Sequence, residues 1–286
     1  MRVIRIILLT LTLGALLQGW GFQTHHRINR TAAQSINGPF GEFLFAYQDS
    51  LAAHAPDPDL WRKKDSSEGY RHYMDADYYS AYPFDDIPRD YEDALKKYSA
   101  DSLRSWGIAP WHIIYLCDSL TNLFQQNQWE ESIILMAAIG HYIADTHMPL
   151  HTVANYNGQN TGNKGVHFRW ESQLVNNYIE IIEPDQPVGG LSVPSNEVFN
   201  IIIESFSSHA TILDADSYAR ENLSESEKDT LESYDDGEFL KLYLPKLYEK
   251  SGELAQERLN KAARRVASFW LTSWIRAGKP VPPRHP

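Results

Sequence analysis

The stretch Trp129–His147, WEESIILMAAIGHYIADTH, constrains the fold more than any other part of the chain. It is apolar over most of its length and meets no helix breaker until Pro149, so it reads as a buried helix that other elements must cover. Its end carries His141, Asp145 and His147, and His151 follows just past Pro149. Polar residues at a helix end can simply answer the helix dipole. They can also hold a metal, and the rest of the chain has to decide.

Helical patterns dominate that remainder. THHRINRTAAQSI, GEFLFAYQDSLAAH, YEDALKKYSADSLRSW, PWHIIYLCDSLTNLFQQ, FRWESQLVNNYIEII and NEVFNIIIESFSSHATIL space their apolar residues by threes and fours. The long segment from Gly237 to Gly278 does the same, with Pro245 expected to kink or interrupt it. No stretch alternates in the manner of strands joined by hairpins. The expected fold class is all-α, a single multi-helix domain. Loops are expected at Pro56–Gly69, Ala81–Arg89, Asn155–Gly165 and Pro184–Ser195, and the acidic run Glu221–Glu238 is expected to be a solvated helix and loop.

The first residues have the form of a secretory signal peptide: basic MRVIR, apolar IILLTLTLGALL, then a small residue before Trp20. The expected organisation is a signal peptide over 1–19, one domain over 20–280 and a loose tail over 281–286. The product would be secreted or periplasmic, and no later segment is apolar enough to span a membrane. Loss of Arg2 and Arg5 takes the net charge from −11 to −13, a balance that gives no basic footprint for stable duplex DNA binding. A small phosphate-containing substrate held by metal ions stays compatible with it. Cys117 is the only cysteine, expected in the core, so an exported product would depend on its core, on metal, or on both.

His141 and Asp145 are four apart and share a helix face, whereas His147 is six from His141 and points elsewhere. HFRWE offers His167 and Glu171 at the same four-residue spacing, a common way to present nitrogen and oxygen to one zinc. HYMDAD contributes His72, APDPDLWR offers Asp57 or Asp59, and WGFQTHH supplies His25 beside Trp20. One such pair is weak, since i, i+4 pairs also form on ordinary helix surfaces. Two pairs with His151 close behind are hard to attribute to accident, and donors without cysteine suit hydrolytic rather than structural zinc.

The ordered set WGFQTH, PDPDLWR…HYMD, HYIADTHMPLH and HFRWE resembles the superfamily of zinc-dependent phospholipases C and single-strand-specific nucleases. The resemblance runs from Trp20 to Glu171 and implies an α-helical scaffold holding three zinc ions. It implies that Asp59, His72, His141 and Asp145 hold one zinc, and that His151, His167 and Glu171 hold a second. Trp20, through its free amine and carbonyl, would hold the third with His25 and the shared Asp145. Asp59 fits the Asp-x-x-Arg pattern with Arg62 placed for phosphate, while Asp57 fits the distance to His72 about as well. Catalysis would be attack on phosphorus by metal-activated water, with Asp59, Arg62 and Asp145 in the catalytic set. Tyr73 and Asp75, beside His72, are candidates for the substrate pocket or for packing behind the ligands.

The substrate that the resemblance implies is a phosphodiester, either a phospholipid head group or a single-stranded nucleic acid or nucleotide. GVHFRWE and the short gap from His151 to His167 resemble the phospholipases. The short gap from Trp20 to His25 and the Asp-x-x-Arg element resemble the nucleases. The expectation is a phospholipase C-like phosphodiesterase, with a single-strand endonuclease or 3′-nucleotidase as the alternative and a non-catalytic zinc-binding protein as the third.

Overall fold

Met136 to His147 is buried almost without interruption in a computed structural model of the chain, which describes residues 21–226 and 237–283. The expected signal peptide, Trp20, most of the acidic run and the last three tail residues lie outside them. The helices are α1 (Phe22–Gln34), α2 (Gly38–Ala46), α3 (Gln48–Ala53), α4 (Asp57–Trp61), α5 (Ala76–Tyr79), α6 (Tyr91–Lys97), α7 (Ala100–Trp106), α8 (Ala109–Gln125) and α9 (Trp129–His147). After them come α10 (Val166–Phe168), a π-helical stretch Arg169–Leu174, α11 (Val175–Tyr178), α12 (Pro194–Glu221) and α13 (Gly237–Arg276). Single 3-10 turns occupy Gly69–Arg71 and Pro149–Thr152. No strand occurs among the described residues, and one hydrophobic cluster joins the helices into a single domain.

α9 is the axis of that cluster. It packs on α1, α3, α8, α12 and α13, which explains why a helix apolar on nearly every side is stable here. α13 packs along it, and the buried Trp270 indole donates to the Met136 carbonyl at 2.9 Å. α1 approaches α9 through the buried Asn29 side chain, which donates to the carbonyls of Leu51 and Ala137.

Several local expectations change. GEFLFAYQDSLAAH divides at Tyr47, and YEDALKKYSADSLRSW divides at Tyr98 because the Ser99 hydroxyl caps a new helix by accepting from Ser102 N–H. The expected loop Pro56–Gly69 contains α4, with proline inside its first turn where it fits best. α12 already begins at Pro194. FRWESQLVNNYIEII leaves the helix at Tyr178, since the carbonyls of Ile181 and Ile182 go instead to Gln256 and Thr31 side chains. α13 continues through Pro245 without interruption. Pro245 and Lys241 are both exposed there, so the Lys241 carbonyl that proline leaves unpaired can turn to water.

Candidate metal centre

Six elements, spread along the sequence, converge on the C-terminal half of α9. His141 and Asp145 stand one turn apart on it, both fully buried. α1 brings His25, α4 brings Asp59, and the turn ending at Arg71 delivers His72. The 3-10 turn after Pro149 carries His151, α10 carries His167 and the π-helical stretch carries Glu171. Three buried groups of donors result: Asp59, His72 and His141; His25, His141 and Asp145; His151, His167 and Glu171. Within each group the donor atoms lie within 4.8 Å of one another, so each could hold a metal ion. Asp57 takes no part; its carboxylate pairs with His54 at 2.8 Å. Trp20 lies outside the described residues, but Gly21 sits against Ser172, the residue after Glu171.

Asp145 occupies the middle. Its Oδ2 lies 2.9 Å from His72 Nδ1 and 3.2 Å from His141 Nε2, while Oδ1 lies 3.4 Å from His25 Nε2 and 3.9 Å from His151 Nδ1. Asp59 Oδ1 is 3.9 Å from both His72 Nδ1 and His141 Nε2. In the remaining group, Glu171 Oε2 is 2.9 Å from His167 Nε2, and His151 Nε2 is 3.2 Å from the same nitrogen. Four donors about 2.0–2.1 Å from a tetrahedral zinc are separated by roughly 3.3–3.4 Å, which lies within this spread.

The donors are also held for the task. His141, His151 and His167 each use Nδ1 toward a backbone carbonyl, of Ala55, His72 and Tyr156 respectively, leaving Nε2 turned inward. Such contacts select tautomer and ring orientation at metal sites. Among the described residues, eleven buried side-chain N or O atoms lack a hydrogen-bond partner, and eight belong to His25, Asp59, His72, Asp145 and Glu171. Buried polar atoms are nearly always satisfied. Concentrated on one donor set, these orphans fit metal binding.

Glu68 was missed by sequence reasoning. It is buried, its Oε1 lies 3.4 Å from His72 Nε2, and it takes hydrogen bonds from Arg71 (2.6 Å) and the Tyr142 hydroxyl. Its four-residue spacing from His72 was the available signal. His147 joins no group; its Nδ1 faces the Ile143 carbonyl and its Nε2 faces Arg265.

A cleft of about 280 Å³ opens onto His72, His151 and His167, and Arg62, Tyr73, Asp75 and Tyr156 line it. Arg62 Nη1 is 3.9 Å from Asp59 Oδ1. Tyr73 reaches its place because Gly107, at φ 84°, lets the two backbones touch where a Cβ would overlap the Tyr73 carbonyl. Burial, reinforced by Asp77, pushes the Asp75 carboxyl up to about 7.

Burial opposes protonation of His72, yet Asp145 and Glu68 outweigh it and raise its pKa from 6.5 to about 9. Burial pushes Glu171 from 4.5 up to about 7 against the pull of His167. In metal-free protein, the stabilisation from protonated His72 is complete below about pH 6.5 and is lost as pH rises through about 9. Glu171 likewise favours the folded state while protonated, a contribution lost as pH rises from about 4.5 through about 7. A bound cation replaces both protons. The gain in Tm on adding zinc is therefore expected to grow from about pH 6 to about pH 9, with protons released on binding. Calorimetry across that window, in a zinc-buffered solution, checks this; a gain independent of pH would contradict it.

No family model matches the chain, and no curated protein does. What fold and site define together is an all-helical protein with three buried His/Asp/Glu groups able to hold metal ions. No helix among the described residues is long and apolar enough to cross a membrane.

Proposed function

We propose that the protein is a zinc-dependent phosphodiesterase of the phospholipase C and single-strand nuclease type. One observation carries the reading: a single buried carboxylate, Asp145, turns one oxygen to His72 and His141 and the other toward His25. That arrangement suits a carboxylate shared between two cations, beside a third group of His151, His167 and Glu171. On this reading Asp59, His72, His141 and Asp145 hold one zinc, and His151, His167 and Glu171 another. His25 and Asp145 hold a third together with the amine of Trp20, exposed by cleavage of the leader in an exported chain.

Bound zinc supplies Lewis-acid polarisation of the phosphoryl group and an activated water near neutral pH. The chain supplies the rest. Arg62 presents a guanidinium in the cleft wall, suited to paired hydrogen bonds with non-bridging phosphate oxygens. Asp75, with its carboxyl near 7, can exchange a proton with a bound substrate at neutral pH. Tyr73 and Tyr156 form the aromatic side of the cleft.

We favour a phospholipid substrate, on the resemblance of GVHFRWE to the phospholipases. Single-stranded nucleic acid is the second reading, favoured by the two tyrosines, since bases stack on aromatic rings. Zinc-loaded protein is expected to hydrolyse bis(p-nitrophenyl) phosphate and to stop when treated with chelator. Parallel assays on phosphatidylcholine, single-stranded DNA and 3′-nucleotides then separate the substrates. Failure on all four, with metal bound, would overturn the reading.

A further inference from the structure

One donor ring enters the centre the other way round. His141, His151 and His167 keep Nδ1 on backbone carbonyls and turn Nε2 inward. His72 is reversed: its Nδ1 lies 2.9 Å from Asp145 Oδ2, 3.0 Å from His141 Nε2 and 3.9 Å from Asp59 Oδ1. The nitrogen that faces the donor group is therefore Nδ1. The backbone under this ring is held from the neighbouring turn, with Met74 N–H donating to the His151 carbonyl at 2.9 Å and His151 Nδ1 facing the His72 carbonyl at 3.1 Å.

A neutral histidine that offers Nδ1 to a cation carries its proton on Nε2, and a buried proton of that kind needs an acceptor. His72 Nε2 is buried without a closed hydrogen bond, and the carboxylate facing it is Glu68, with Oε1 at 3.4 Å. Glu68 is 1% exposed and firmly braced. Its Oε2 accepts from Arg71 Nη1 at 2.6 Å, and its Oε1 accepts from the Tyr142 hydroxyl. Arg71 is held in turn by Asp65 at 3.3 Å and by the Ser67 hydroxyl at 3.1 Å. With both oxygens already accepting, Glu68 stands behind the donor groups and belongs to none of them.

We infer that Glu68 is a positioning residue of the metal centre: it takes the Nε2 proton of His72 and holds the ring with Nδ1 toward Asp59, His141 and Asp145. A carboxylate in that position orients an imidazole ligand and raises its basicity, so the group containing His72 grips a cation more tightly with Glu68 in place. The inference rests on the zinc reading of this site and is independent of which ester is cleaved.

The test titrates metal-stripped full-length protein with zinc against a competing chelating dye and follows the histidine ring nitrogens by NMR. In zinc-loaded wild type, His72 is expected to carry its proton on Nε2, while His141, His151 and His167 carry theirs on Nδ1. Glu68→Gln is expected to weaken one zinc per chain by ~10–100-fold, to leave the remaining zinc near wild-type affinity, and to shift the His72 nitrogen resonances. Tyr142→Phe keeps the carboxylate and removes one of the donors that brace it, so it should weaken the same zinc by less. It also carries the test if Glu68→Gln does not fold. A lower metal-free Tm with every zinc affinity unchanged would make Glu68 a brace of the fold alone and overturn the inference. So would a loss spread evenly over all bound zinc, or a His72 ring protonated on Nδ1. Wild type that binds no zinc removes the metal reading itself, and with it this role for Glu68. Zinc bound as expected without hydrolysis of any ester supports the role and removes only the phosphodiesterase reading.

Discussion

Asp145→Asn is expected to leave the protein folded, short of metal and almost without activity. The substitution keeps the shape of the side chain and removes the charge that two histidine sets share, with Oδ2 toward His72 and His141 and Oδ1 toward His25. An amide presents one oxygen where the carboxylate presents two, so the two zinc ions proposed to share Asp145 could no longer both have it as a donor. The loss should exceed the ~10–100-fold that removing a mere supporting partner costs at metal sites. Zinc per chain by elemental analysis and turnover of a soluble phosphodiester are the measurements. His147→Gln is the control on the same helix. It should keep its metal, because His147 belongs to no donor group. It should nevertheless lower Tm, because His147 is fully buried against the Ile143 carbonyl and Arg265. If both variants lose zinc alike, the assignment of Asp145 is wrong.

Removal of metal is expected to destabilise the whole domain and not only to stop catalysis. Asp59, Asp145 and Glu171 are all buried, and burial lifts the Glu171 carboxyl to about 7, so above neutrality it must ionise without a cation. Stripping one partner from a buried charge costs about 3–5 kcal/mol. Each kcal/mol shifts Tm by about 2–4 °C in a large domain, so chelation near pH 8 should lower Tm by roughly 6–20 °C. Thermal unfolding followed by circular dichroism, with chelator and then with zinc restored, measures it. A Tm indifferent to chelator would mean that the donor groups are satisfied without metal.

Local signals carried the helices well where they were strong. α9 ends where Pro149 and the histidine-rich turn predict, because its apolar run is unbroken and its stop is unambiguous. They failed where a break needs knowledge of distant partners. The departure from helix after Tyr178 depends on Thr31 and Gln256 reaching its carbonyls, and neither is a local neighbour. At the site, the pairs His141–Asp145 and His167–Glu171 were visible as spacing. Their juxtaposition with His25 and Asp59 was not, since only the packing of α1 and α4 on α9 creates it. The preference for Asp59 over Asp57 is a matter of which way one short helix is turned. Glu68 was hidden because it sits in what read as a loop, although the closed structure places it against His72.

Gly140 lies one residue before His141, on the side of α9 that faces α1. A Cβ there would overlap the Asn29 side chain, which clamps α1 to α3 and α9. The separation of His25 from His141, whose rings stack with centroids 4.0 Å apart, therefore depends on a methyl group that is missing. Ion size is discriminated by how far apart donors are held as well as by what they are. The width of this cage is governed from a position that offers no donor at all. A redesign that sought to admit a larger ion could leave every histidine and carboxylate untouched and act on the gap between the two helices.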